Sequence, residues 1–199
     1  MTRVLGISGS LRRDSHNTRL LRAAGELLPP GTELVMFDGL KAVPPFDEDD
    51  EAAPGPGVEA LRAALGEADA VLFVTPEYNG SIPGQLKNAV DWASRPSVPE
   101  GALYGKPVAV VGASTGMFGA VWAQAELRKA LGLAGARVLD RELPVPTADE
   151  LIGEDGSIDE IEIVSELEAI LEALVASAVE NGELVRESRE RVREHPLGI

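Results

Sequence analysis

Short apolar runs alternate with amphipathic stretches along most of the chain. Val4, Leu5 and Ile7 make the first run, and Thr32 to Asp38 reads as a second strand. Ala70-Val71-Leu72-Phe73-Val74 and Pro107-Val108-Ala109-Val110-Val111-Gly112-Ala113 are continuous rather than alternating. That is the pattern of strands buried on both faces of a parallel sheet. Arg137 to Leu143 reads as a fifth strand. Between these runs, apolar residues recur at helical spacing. Arg19 to Ala24 belongs to a first helix, stopped by Pro29-Pro30-Gly31. Val58, Leu61, Ala64, Leu65 and Ala68 mark a second. Gln85 to Ala93 makes a third, with Pro83 where a first turn tolerates it. Ala120 to Leu133 makes a fourth, with Leu127 and Leu131 on one face. The last helix runs from Ile161 to about Val179, with Ile163, Leu167, Ile170, Leu171 and Leu174 inward.

Strand and helix thus alternate five times. The pattern predicts an α/β fold, a five-stranded parallel sheet with helices on both faces. The flavodoxin-like order 2-1-3-4-5 would bring the loops after strands one, three and four to one edge. Two stretches stand apart from the alternation. Gly39 to Gly57 is rich in Pro, Gly and acids and reads as a long surface loop, a candidate for a subunit contact or an active-site rim. Residues 183–199 interleave four glutamates with four arginines, with Glu187 and Arg191 at helical pairing distance. Only Leu184, Val185 and Val192 could pack there, so a solvated terminal helix is expected rather than a docking arm. The expected organisation is one domain over residues 1–182 and a charged helical appendage over 183–199.

Composition narrows the chemistry. With 199 residues, 44% of them hydrophobic and 26% charged, the chain can bury one sizeable core. It has no cysteine, which excludes disulfides, thiolate metal sites and cysteine nucleophiles. Redox chemistry would need a bound cofactor. A formal net charge of −15 opposes binding to nucleic acid or to an anionic membrane. It also gives weight to Arg12 and Arg13, which stand side by side in the first loop. No basic-then-apolar leader opens the sequence and no apolar run is long enough to span a bilayer, so a cytoplasmic protein is expected.

The first loop, Ser8 to Thr18, offers the hydroxyls of Ser8, Ser10, Ser15 and Thr18, the Asn17 amide, two arginines and the free N–H groups of a helix start. A phosphate cradle and an ordinary helix cap fit it equally well. The loops Pro76 to Ser81 and Ser114 to Gly119 carry Gly80 and Gly116, which allow close backbone approach. One phosphate cradle beside two such loops suits a mononucleotide. Competing signatures are absent: there is no G-x-x-x-x-G-K-[ST], no G-x-G-x-x-G after the first strand and no G-x-S-x-G elbow. His16 and His195 are the only histidines, and no acidic or histidine cluster has metal-ligand spacing. His16 reads as a loop residue near the phosphate. Trp92 and Trp122 read as packing or interface residues.

Four segments together carry a specific resemblance: Gly9-Ser10-Leu11-Arg12; Ser15 and Asn17; Thr75-Pro76-Glu77-Tyr78-Asn79-Gly80-Ser81-Ile82-Pro83-Gly84; and Leu86-Lys87-Asn88-Ala89-Val90-Asp91-Trp92. Over roughly residues 3–180 the chain resembles the NADPH-dependent FMN reductase family, which includes azoreductases, quinone reductases and chromate reductases. The resemblance implies a flavodoxin-like fold, non-covalent FMN, NADPH or NADH as co-substrate, a small-molecule electron acceptor, and a homodimer or homotetramer. It places Ser10, Arg12, Ser15, Asn17 and Thr18 at the FMN phosphate. It places Pro76, Glu77, Tyr78, Asn79 and Gly80 along the isoalloxazine edge and ribityl chain, and Ser114, Thr115 and Gly116 on the pyrimidine side. Glu77 is read as shaping its loop rather than as a catalyst, and no protein nucleophile, acid or base is expected. Where many members have Gly-Ala-Arg after the residue matching Gly119, this chain has Ala120-Val121-Trp122, a departure that bears on assembly. Two other functions share the same site: a flavodoxin-like electron carrier, and a flavin-bound interaction module without turnover.

Overall fold

The computed structural model describes the backbone of residues 1–96 and 100–194, with side chains described up to residue 184. Strand β1 (Thr2–Ser8) leads through the first loop into α1 (His16–Glu26). Then follow β2 (Thr32–Met36), α2 (Pro56–Glu67), β3 (Ala70–Thr75), α3 (Gly84–Ala93), β4 (Pro107–Ala113) and α4 (Val121–Leu133). The chain closes with the short strands β5 (Arg137–Val138) and β6 (Pro144–Val145), the one-turn α5 (Ala148–Leu151) and the long α6 (Ile161–Glu194). The sheet order is β2-β1-β3-β4-β5, all parallel, with β6 also on β4. This is the doubly wound order that the alternation predicts.

Alternate residues of the strands divide the core in two. Leu5, Ile7, Val71, Phe73, Val108 and Val110 face α2, α3 and α4. Val4, Ala70, Leu72, Val74, Ala109 and Val111 face α1 and α6. Every residue of β3 and β4 is buried, as their uninterrupted apolar character requires. Each fully buried leucine or valine contributes roughly 1.5–3 kcal/mol, so this central pair is the rigid base on which the loops stand.

Three details differ from the sequence reading. The fifth strand is not one run. β5 pairs with the start of β4 and β6 with its end. Between them, Asp140 and Glu142 reach back to Arg128 of α4, at 2.6 and 3.4 Å. Charges that need solvent and a partner on α4 interrupt a strand that hydrophobicity alone would continue. Secondly, α6 runs unbroken to Glu194, beyond Val179, where the apolar spacing ends the last helix. Leu184 is 56% exposed there. The side chains of Val185 and Val192, the Glu187–Arg191 pair and His195 lie outside the described residues. Thirdly, the loop from Gly39 to Gly57 contains two 3-10 turns, Leu40–Ala42 and Glu48–Asp50.

That loop is latched to α3. Gln85 Nε2 donates to the carbonyls of Leu40 and Val43, each at 2.8 Å. Asn88 accepts from Phe46 N–H and donates to the Pro44 carbonyl. Trp92 Nε1 donates to the same carbonyl at 2.9 Å, and its fully buried ring meets Phe46 edge-on at 4.9 Å. Trp92 is therefore a packing residue, and the Asn88–Trp92 part of the third-helix motif holds the loop down.

Candidate cofactor site

The loops after β1, β3 and β4 come together at the carboxyl edge of the sheet. In α/β sheets of this winding, that edge at the strand-order reversal is where ligands bind.

The first loop ends on α1 without a side-chain cap. Ser15 occupies the N-cap position but makes no capping hydrogen bond, and the first turn holds no acid. The first intrahelical bond runs from Arg19 N–H to the Ser15 carbonyl at 3.0 Å. The N–H groups of His16, Asn17 and Thr18 therefore leave the helix end with no acceptor among the described residues. Among the choices left open by the residues, the cap is the one not made. Ser8 and Thr18 share a hydroxyl–hydroxyl bond of 2.9 Å, and Ser10 Oγ accepts from Arg12 N–H at 3.3 Å, which folds the loop around the helix end. Gly9 is required by packing, since a Cβ there would stand 2.7 Å from Leu86 and 3.2 Å from Pro76.

Asn17 has a different role from the one its residue type suggests. It is 4% exposed, its Nδ2 donates to the Ala113 carbonyl at 2.9 Å, and its Oδ1 accepts from Ala113 N–H at 3.0 Å. Both polar atoms of the amide are engaged, pinning α1 to the end of β4. The second Nδ2–H and the main-chain N–H of Asn17 have no acceptor among the described residues.

The second loop is a tight hairpin. Tyr78 and Ser81 exchange backbone hydrogen bonds at 3.1 and 3.2 Å, and Asn79 and Gly80 between them both have positive φ, 54° and 70°. This is the Asn-Gly pattern of a type I′ turn. Thr75 Oγ1 donates to the Pro76 carbonyl at 2.8 Å, fixing the entry. Glu77 then reaches across to the fourth helix. Its Oε2 accepts from Trp122 N–H at 3.0 Å and from Ala123 N–H at 3.1 Å. Helix α4 has Ala120 at its N-cap, in the left-handed region and unable to cap. Glu77 is that missing cap, and its charge suits the positive helix end. Ser81 Oγ adds a second tie, to Glu126 Oε2 at 2.5 Å.

The third loop runs from Ser114 to Gly119. Ser114 Oγ accepts from Gly116 N–H at 3.1 Å, and its main chain is held by Val145 and Ala148. Gln124, fully buried, donates to the Gly119 carbonyl and accepts from Leu143 N–H, both at 3.1 Å. A Cβ added at Gly80 would meet nothing within 4 Å, and one at Gly116 only Ser114 Oγ at 3.5 Å, so both present open backbone. Thr115, in the same loop, is exposed. Around the three loops stand exposed apolar groups: Leu11, Tyr78, Met117, Phe118 and Trp122, all between 47% and 75% exposed. Phe118 and Trp122 pack edge-to-face at 4.9 Å.

Electrostatics are concentrated at the first loop. Arg12, Arg13, Arg19 and Arg22 line one cavity with Asp14, His16 and Glu154. Burial and the neighbouring Arg19 and Arg12 hold the His16 imidazole below its ordinary value of 6.5, with Asp149 opposing weakly. Its Nδ1 is buried and unpartnered. Uncapped helix N–H groups beside cations suit a phosphate, while open glycines and an apolar rim suit a flat ring. A ring that carries one phosphate fits the residues present.

The strand order and the alternation of strand and helix are those of the flavodoxin-like α/β class. Residues 2–150 match the family model described as NADPH-dependent FMN reductase, and the chain belongs to that family. It is 44% identical over 158 residues to the NAD(P)H-dependent FMN reductase of Pseudomonas aeruginosa, covering 78% of this chain and 84% of that one. It is 38% identical over 140 residues to the quinone reductase of Escherichia coli K12, covering 69% and 73%. The solved structure of the flavoenzyme NAD(P)H:(acceptor) oxidoreductase FerB of Paracoccus denitrificans superposes with a TM-score of 0.79 at 33% identity, over 91% of this chain and 99% of that one. The family uses FMN and NAD(P)H. Among the described residues, no helix is long and apolar enough to cross a membrane.

Proposed function

We propose that the chain binds FMN non-covalently across these three loops and acts as an NAD(P)H-dependent reductase of quinone-type acceptors. The observation that carries the reading is the pairing of an uncapped helix end, with three free N–H groups, against two loops locked to each other by Glu77. Held there by these residues, FMN would supply the redox chemistry between NAD(P)H and the acceptor.

The protein's own work is binding and orientation. The N–H groups of His16, Asn17 and Thr18, the Ser10 and Ser15 hydroxyls and Arg12 would hold the phosphate. The main chain of Pro76, Glu77, Tyr78, Asn79 and Gly80 would line one edge of the ring, and Ser114, Thr115 and Gly116 the other. Tyr78, Phe118 and Trp122 exclude water from the margin of the site. Glu77 acts on α4 rather than on substrate. The same reading assigns a homodimer or homotetramer covering the exposed Phe118–Trp122 pair, and a cytoplasmic enzyme, where NAD(P)H is held.

The test is titration of purified protein with FMN, followed by steady-state NADPH and NADH oxidation with a benzoquinone acceptor. Stoichiometric FMN binding with acceptor-dependent turnover is expected. FMN binding without sustained oxidation of either nucleotide would identify a carrier or a silent flavin module instead. Light scattering of the same sample reads the assembly.

A further inference from the structure

The arginines whose side chains are described fall into two groups. Arg3, Arg62, Arg95, Arg128, Arg137 and Arg141 each find a carboxylate, a carbonyl or an amide oxygen. Arg12, Arg13, Arg19 and Arg22 make no ion pair and no side-chain hydrogen bond among the described residues. All four border one cavity of about 620 Å³, and the unpartnered His16 borders it too. Among the described residues that line it only Asp14 and Glu154 are acidic, with Asp149 close enough to act on His16, so four arginines outnumber the acids on a chain of net charge −15. It also surrounds the positive end of α1, where cations are unfavourable without an anion to offset them.

One flavin phosphate at the helix end does not account for all four. From His16 to Arg22 the helix rises by about 9 Å, which carries Arg22 well past the three free N–H groups. Arg12 borders a second cavity with Gly9, Leu11, Tyr78, Pro83, Gly84 and Gln85, so the basic cavity and the ring side of the site share one loop. A ligand with a second phosphate, reaching the flavin from outside, meets both.

We propose that Arg13, Arg19 and Arg22 form a second phosphate-monoester site beside the flavin-phosphate cradle, and that its ligand is the 2′-phosphate of NADPH. The inference rests on the reading of the chain as a nicotinamide-dependent reductase. NADH has a hydroxyl at that position and leaves the three guanidinium groups unmatched, so this face sets the preference between the two nucleotides. Guanidinium suits the role, because it binds phosphate oxygens in a planar fork.

The test is calorimetric titration of the FMN-loaded protein with adenosine 2′,5′-bisphosphate, adenosine 5′-monophosphate and inorganic phosphate, on the wild type and on Arg19→Gln/Arg22→Gln. The bisphosphate is expected to bind at least about tenfold more tightly than either control. The double variant is expected to weaken it roughly ten- to a hundredfold while the FMN dissociation constant stays the same. Arg22→Lys keeps the charge without the fork and should fall between them. Equal affinity for bisphosphate and monophosphate, unchanged affinity in the double variant, or inorganic phosphate binding as tightly as the bisphosphate would each overturn the proposal. A parallel loss of FMN affinity would assign the arginines to the flavin cradle and overturn it as well. Bisphosphate binding is read without turnover. A protein that binds it as stated but oxidises neither nucleotide upholds this site and refutes the reductase reading alone.

Discussion

The two ends of the candidate site are built on opposite plans. At the first loop, donors are left free: among the described residues α1 has no side-chain cap, its first three N–H groups have no acceptor, and four arginines have no partner. At the loops after β3 and β4, almost everything is tied. Glu77 caps α4, Ser81 bonds Glu126, Gln124 bridges Gly119 and Leu143, and a type I′ turn fixes Asn79 and Gly80. The difference matches what the proposed flavin would bring to each end. A phosphate is small, charged and recognised by many donors at once, so affinity comes from groups waiting for it. A flat ring must be held at one orientation, so its loops are rigid and show glycine only where backbone must be bare.

Substitutions on either side sharpen the contrast. The largest expected effect is that of Asn17→Ala, which strips partners from the buried N–H and carbonyl of Ala113. Each unsatisfied group costs roughly 1–3 kcal/mol, so for the two groups thermal unfolding should show a loss of roughly 2–6 kcal/mol. If Asn17 served only the ligand, the melting temperature would hardly move. Arg12→Ala comes next. It should leave the melting temperature in place and weaken FMN retention roughly ten- to a hundredfold. Unchanged FMN affinity would shift the cradle elsewhere in the loop.

Glu77→Ala removes the cap of α4. A lost cap costs about 1 kcal/mol, up to about 2, and the ring-side loops should loosen with it. Glu77→Gln, which keeps an acceptor, should recover most of the stability. A Gln variant as inactive as Ala with an unchanged melting temperature would make the carboxylate a participant rather than a strut. Gly80→Ala should cost roughly 1–2 kcal/mol from its positive φ alone, since nothing stands within 4 Å of the new methyl. The smallest effect concerns His16. Its pKa is held below 6.5 in the folded chain by burial first and then by Arg19 and Arg12. As pH falls below 6.5, the unfolded chain takes up that proton before the folded one. Stability should therefore decline as pH drops from 6.5 through the folded value, and His16→Gln should flatten that part of the pH–stability curve.

Much of this was legible in residue order. The continuous runs at Ala70–Val74 and Pro107–Ala113 announce central parallel strands, and the βα alternation leads to the observed strand order. The three polar loops announce the edge at which the site forms. What escaped was set by contacts between distant residues. Asn17 looks like a phosphate donor because its type and position allow it, yet its partner lies 96 residues away. The cap of α4 lies 45 residues upstream, in a loop whose glutamate shows no local reason to face a helix. The fifth strand reads as continuous because Leu139 and Leu143 are apolar, but Arg128 draws Asp140 and Glu142 away between them. The lack of partners for the four arginines at α1 among the described residues is likewise invisible until the other described arginines are seen with theirs.

The central claim is that the free-donor end and the tied end together make one flavin site that takes electrons from a nicotinamide nucleotide. Anaerobic stopped-flow mixing of the FMN-loaded protein, first with NADPH and then with benzoquinone, tests it most directly. The account predicts that the visible flavin band is bleached by the nucleotide and restored by the quinone, at rates that sustain turnover. A protein that holds no FMN, or whose flavin band persists in the presence of both NADPH and NADH, would contradict it.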